Sequence, residues 1–91
     1  MISNNADIIE EMRKNARLVL ITPKGSFPYY KNFGSQINYA QNEALILAEA
    51  RAALSGLDGV YVKSVEKINA AAIFHISVND EQRQVEVKYG N

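Results

Sequence analysis

The chain has no cysteine, no tryptophan and a single histidine, and its ten acidic side chains are balanced by ten basic ones among 91 residues. Without thiols it can build neither a disulfide framework nor a thiolate metal site. Without a charge surplus, its composition does not recruit nucleic acid or an acidic membrane by bulk attraction. No apolar run approaches membrane-spanning length, and Met1-Ile2-Ser3-Asn4-Asn5 lacks the basic region and apolar stretch of a secretion signal. The expectation is a chain that stays in a cytosol-like compartment unless an assembly carries it out. What is present, 47% hydrophobic and 22% charged residues, describes one soluble globular domain over 1–91 with material for a modest core.

Both prolines and two of the five glycines fall between Ile21 and Ser35. Pro23 and Pro28 lack a backbone donor and restrict the residue before them, and Gly25 and Gly34 tolerate positive φ. That spacing predicts a loop. Phe27, Tyr29, Tyr30 and Phe33 give it more aromatic mass than any other part of the chain. It is therefore expected to pack on the helices, with part left exposed for a protein partner.

Before the loop, Asn4 or Asn5 is placed to cap a helix running to about Arg17, with Ile8, Ile9, Met12 and Ala16 on one side. Asp7, Glu10 and Glu11 near its start and Arg13, Lys14 and Arg17 near its end suit the macrodipole, and Glu10 and Lys14 form an i,i+4 pair. Leu18-Val19-Leu20-Ile21 reads as either the helix's buried last turn or a short strand. After the loop, Ser35 is placed to cap a short turn through Ile37 and Tyr39. A second helix, rich in Ala, Leu and Glu, then runs from about Tyr39 or Gln41 to Leu54. Its stripe of Ala44, Leu47, Ala48, Arg51 and Leu54, with Leu45, Ala48 and Ala52 adjoining, is expected to cover a sheet, and Gly56 to serve its C-cap.

From Val60 the period becomes two, predicting strands over 60–68, 72–78 and 84–89. Phe74, Ile76 and Val78 share one face of their strand, as do Val85, Val87 and Tyr89 of the next. The fold class is thus α+β: two helices and an aromatic Pro/Gly loop packed on a three-stranded antiparallel meander.

The search for chemistry is mostly negative. His75 sits mid-strand, facing away from Phe74 and Ile76, and Ser26, Ser35, Ser55, Ser64 and Ser77 share it as their only histidine, which leaves no nucleophile triad. The acidic residues lack metal-loop spacing. Lys24-Gly25-Ser26 lacks the first glycine of a phosphate-binding loop. Glycoside hydrolysis needs only two carboxylates, and Glu43, Glu49 and Asp58 could be nominated, but so short a chain has little material to build the cleft. No catalytic, cofactor-binding or metal residue is assigned, and the chain is not expected to be an enzyme. Tyr29, Tyr30 and Phe33 interleaved with Lys24 and Lys31 could stack bases, yet two lysines without a basic groove favour a protein partner.

The order helix, apolar run, Thr22-x-x-Gly25-Ser26, Phe33-Gly34-Ser35, helix and terminal strands resembles the bacteriophage baseplate wedge family that includes baseplate assembly protein W. The likeness spans roughly Ala6 to Gly90. It implies a virion structural subunit in the baseplate of a contractile tail or related injection system, assembling with other wedge proteins near the hub and the first sheath ring. Its location would be the tail baseplate, and the host cytoplasm during assembly. Some members carry a lysozyme label, which the residues here do not support. Many have an arginine two residues after the loop glycine and a proline shortly before Phe-Gly, where this chain has Phe27 and Lys31. Many also have Glu-Pro-Arg leaving the second helix, at a contact with neighbouring wedge subunits. Here Ser55-Gly56-Leu57-Asp58-Gly59 stands in that place, so no charged site residue is carried over.

A meander in chain order leaves 84–89 at a sheet edge, where unpaired backbone groups invite a partner strand. Tyr29, Tyr30 and Lys31 of the loop and Val85, Val87 and Tyr89 of that strand are the candidate protein interface, and the first sheath ring is the expected strand donor. The alternative is a small free-standing protein-binding or regulatory domain; a lysozyme-like glycoside hydrolase comes last.

Overall fold

A computed structural model of the chain describes residues 5–26, 29 and 33–89. Helix α1 covers Asn5–Ile21, helix α2 Glu43–Ala53, and strands β1 Val60–Ile68, β2 Ala71–Val78 and β3 Glu81–Lys88 form an antiparallel sheet in the order β1-β2-β3. The α+β fold is the one that the periodicities predict. Both helices lie on one face of the sheet, α1 chiefly over β3 and α2 over β1.

The meander follows from its turns. Asn79 and Asp80 both take positive φ, at 49° and 70°, the backbone of a two-residue hairpin whose twist matches that of the flanking strands. Arg83 and its polar neighbours are therefore strand, and β3 begins at Glu81 rather than Gln84. In β2 the alternation sends Ala72, Phe74, Ile76 and Val78 inward, all buried. In β1 the buried residues are Val62 and Val65, three apart, because the register against β2 slips by one residue between Val62 and Ser64. The extra residue of such a bulge turns the remainder of the strand over.

The helices depart from expectation in ways the packing explains. Leu18–Ile21 is the last turn of α1, with Val19 and Leu20 in the core alongside Ile9 and Ala16, while Ile8 is 45% exposed. Because α1 runs past Arg17, its last turn holds no basic residue, and the predicted dipole pairing fails there. Glu10 is held not by Lys14 but by Arg13, whose Nε lies 2.6 Å from Oε1. That hydrogen bond holds the Glu10 carboxyl below its usual range. Helix α2 starts later than expected, capped by the Asn42 side chain, which accepts from Leu45 N–H at 3.0 Å. Its buried residues are Ile46 and Ala50, followed by Leu54. The predicted stripe is wrong by a fraction of a turn: Ala44, Leu45, Ala48 and Ala52 face solvent. Alanine scores as apolar yet loses little by exposure, so three alanines draw the predicted face toward themselves while one isoleucine fixes the real one. Leu54 is the C-cap, and Gly59 rather than Gly56 takes the left-handed conformation.

Candidate functional site

Thr22, Gly25, Ser26, Phe33, Gly34 and Ser35, singled out from the sequence, converge at the end of α1. An α-helix leaves its last carbonyls without intrahelical donors, and here the chain on either side of the loop supplies them. The Thr22 hydroxyl donates to the Leu18 carbonyl at 2.6 Å and Thr22 N–H to that of Val19 at 3.4 Å. Ser35 Oγ and Tyr39 OH both donate to the Leu20 carbonyl, at 3.3 and 3.1 Å. Ser35, expected to open a new turn, instead closes an old one.

The two feet of the loop are paired. Ser35 N–H donates to the Thr22 carbonyl and Lys24 N–H to the Ser35 carbonyl, both at 2.9 Å, forming a parallel bridge between Pro23 and Ser35. Gly34 lies where the feet cross, at φ +107°, and a Cβ there would stand 2.5 Å from the Thr22 carbonyl oxygen. Gly25, at φ +88°, is the third residue of a tight turn in which Ser26 donates to the Pro23 carbonyl through both N–H (3.1 Å) and Oγ (2.6 Å). Thr22, Gly25, Ser26, Gly34 and Ser35 thus cap a helix and clamp a loop, and half-buried Phe33 packs against the core beside them.

Tyr29 projects from the loop at 92% exposure. Phe27, Tyr30 and Lys31, also singled out from the sequence, lie outside the described residues. Tyr39 and Tyr89 are stacked with centroids 5.2 Å apart, and Tyr39 meets Phe74 edge-on at 6.3 Å. Burial pushes the Tyr39 hydroxyl up to about 12.

The strand residues nominated as an interface face inward. Val85 and Val87 are core, and Tyr89 is half-buried in the aromatic stack. Tyr89 N–H donates to the Ala70 carbonyl. By alternation along the register, Val85 and Val87 turn their backbone groups to β2, and Gln84, Glu86 and Lys88 turn theirs to the open edge. That edge is not bare. Arg17 Nε donates to the Glu86 carbonyl at 3.2 Å, and Arg13 Nη1 approaches that of Gln84 at 3.5 Å. The β1 edge is treated alike by α2: Arg51 donates to the carbonyls of Val62 and Lys63 at 2.8 and 3.1 Å, and Glu43 accepts from Lys67 N–H at 2.8 Å. Both helices therefore fasten an outer strand by its backbone as well as covering its apolar face. The sequence signal for this is a charged residue, Arg51, on an otherwise apolar helix face.

The nominated carboxylates are scattered. Glu43 is taken by the β1 edge, Glu49 lines a cleft beside Gly34, Ser35 and Gly56, and Asp58 lines a smaller one beside Met12 and Leu57. His75 is half-buried on the open sheet face, its Nε2 3.4 Å from Glu66. Among the described residues no cluster of three or more His, Asp or Glu side chains is arranged to hold a metal ion, and no helix is long and apolar enough to cross a membrane.

No protein-family model matches the chain, and no curated protein matches it in sequence. A solved structure from Geobacter sulfurreducens, of a protein provisionally named a tail lysozyme, is similar with a TM-score of 0.64 and 18% identity, covering 98% of this chain and 92% of that one. At that identity the likeness shows a common fold.

Proposed function

We propose that the chain is a structural subunit of a phage or prophage-derived contractile tail, built into the baseplate wedge and working through contacts with its neighbours rather than through catalysis. The observation that carries this reading is where the motif spends its polar groups. The hydroxyls of Thr22, Ser26 and Ser35 are all committed to backbone carbonyls. They stiffen the base of a loop and leave Tyr29 outside it, and an exposed aromatic on a braced loop is what a protein interface uses.

The Geobacter protein's name joins a tail to a lysozyme. Its tail half agrees with this reading; its lysozyme half favours the alternative of glycoside hydrolysis. Against that alternative stands the separation of Glu43, Glu49 and Asp58, since sugar hydrolysis requires two carboxyl groups facing one bond. The partners would be other baseplate and tail proteins, including the first sheath ring. A strand arriving at β3 would have to displace Arg17 and Arg13 from the carbonyls of Glu86 and Gln84.

The test is co-expression with the tail proteins encoded beside this chain, followed by sizing. The expected result is a complex of fixed stoichiometry. Elution of this chain alone while the others assemble would overturn the reading and leave a free-standing binding domain. Hydrolysis of purified peptidoglycan that is lost in Glu49→Gln would overturn its non-catalytic part.

A further inference from the structure

Strand β3 leaves its hairpin at Glu81, which pairs with Val78, so Glu81, Arg83, Val85 and Val87 turn their backbone groups to β2 and Gln82, Gln84 and Glu86 turn theirs outward. Each of these three outward carbonyls is held by an arginine. Arg83 Nη1 donates to that of Gln82 at 2.7 Å, Arg13 Nη1 reaches that of Gln84 at 3.5 Å, and Arg17 Nε donates to that of Glu86 at 3.2 Å. The N–H groups of the same three residues have no acceptor among the described residues. The edge therefore has its acceptors taken and its donors open.

The spacing follows from regular geometry. Arg13 and Arg17 stand one turn apart on α1, a rise of about 6 Å, and two residues of extended strand span about 7 Å. A helix lying along β3 in the same direction thus delivers successive side chains to successive outward carbonyls. One step further back α1 carries Ile9, which belongs to the core, and the strand's own Arg83 supplies the donor that the helix does not.

We infer that these arginines are an autoinhibitory lock, which keeps the β3 edge closed to an added strand until Arg13 and Arg17 are withdrawn. In an antiparallel ladder each outward residue exchanges an N–H and a carbonyl with its opposite number. A strand arriving at the locked edge finds every carbonyl taken, and its own N–H groups are buried there without acceptors. Two β3 edges related by a twofold axis present the same residues to each other, so a second copy of the chain is a strand that the lock must also exclude. The inference concerns the state of the edge and does not depend on the tail reading.

Sedimentation of the full chain over a concentration series tests it, with amide hydrogen exchange as the second readout. The parent is compared with Arg13→Ala combined with Arg17→Ala, and with Lys14→Ala combined with Lys24→Ala, which removes two positive charges from exposed positions that hold no β3 carbonyl. The unlocked variant should dimerise at a concentration at least about tenfold below the parent. Exchange at the Gln84 and Glu86 amides should slow in that dimer, and the charge control should behave as the parent does. An unlocked variant as monomeric as the parent, a dimer that leaves those amides unprotected, or equal association of the charge control would overturn the proposal. If the double variant does not fold, Arg17→Ala, which leaves the pair between Arg13 and Glu10 in place, is set against Lys14→Ala and the same outcomes decide.

Discussion

Gly34 and Thr22 approach so closely that a Cβ on the first would sit 2.5 Å from the carbonyl oxygen of the second. The same carbonyl accepts the Ser35 N–H, so it cannot retreat without opening the loop base. Gly34→Ala adds that overlap to the strain of an L-residue at φ +107° and should cost about 2–3 kcal/mol. At Gly25 the φ is similar but no atom lies within 4 Å, and Gly25→Ala should cost only about 1 kcal/mol. Urea unfolding of both variants checks the difference; equal losses would mean that the feet do not cross as described.

Arg51 holds two β1 carbonyls and lies 5.0 Å from the centroid of the Tyr61 ring. Arg51→Ala should cost about 2 kcal/mol, through lost charge-assisted hydrogen bonds and exposure of carbonyls at a bulge. Arg51→Lys should recover only part of it, because one ammonium cannot span both acceptors as a planar fork does. Thermal unfolding measures the loss, and sizing should show increased self-association of the alanine variant as the edge opens.

The setting of α2 on the sheet is tested by neighbours in sequence. Ile46 is fully buried and Leu45 is 47% exposed. Ile46→Ala should cost about 3 kcal/mol by emptying a core position, and Leu45→Ala less than about 0.5 kcal/mol. Reversal of that order in denaturant titrations would restore the face expected from the alanines.

The Tyr39 hydroxyl, pushed up to about 12 by burial, makes stability depend on pH at the alkaline end. The unfolded chain releases this proton at its ordinary value of 10.0, so above that pH it binds fewer protons than the folded chain. The stability is therefore complete below pH 10 and declines as pH rises from there toward 12. Denaturation midpoints across that range should fall, and Tyr39→Phe should flatten the decline while lowering the midpoint at neutral pH through loss of its bond to the Leu20 carbonyl.

The open end of β3 fixes what a strand-addition experiment must change. Val87→Pro would break the ladder to β2 and unfold the chain, since the Val87 backbone faces inward. Arg17→Ala leaves that ladder intact and frees the Glu86 carbonyl. If a neighbour's strand is accepted there, this variant should assemble with it faster than the parent, measured by the rate of complex formation; an unchanged rate would place the contact elsewhere.

The sequence by itself determined the elements whose signal is local. Strict alternation in 72–78 specifies a half-buried strand because side chains on a pleated backbone must alternate. The crowding of both prolines with two glycines specifies a loop because neither helix nor ladder tolerates them. The polar run 79–83 marks a hairpin connection, but only Asn79 and Asp80 turn, and the polar residues after them already belong to β3.

Tertiary structure alone decided what depends on partners distant along the chain. Whether Leu18–Ile21 was helix or strand turned on donors from Thr22, Ser35 and Tyr39 that could satisfy its carbonyls. The face of α2 was settled by Ile46, whose larger apolar area outweighs several alanines only once a sheet is present to bury it. The role of the motif was hidden for the same reason: Gly34 is constrained by the Thr22 backbone twelve residues away, and steric exclusion between two crossing segments has no trace in the composition of either.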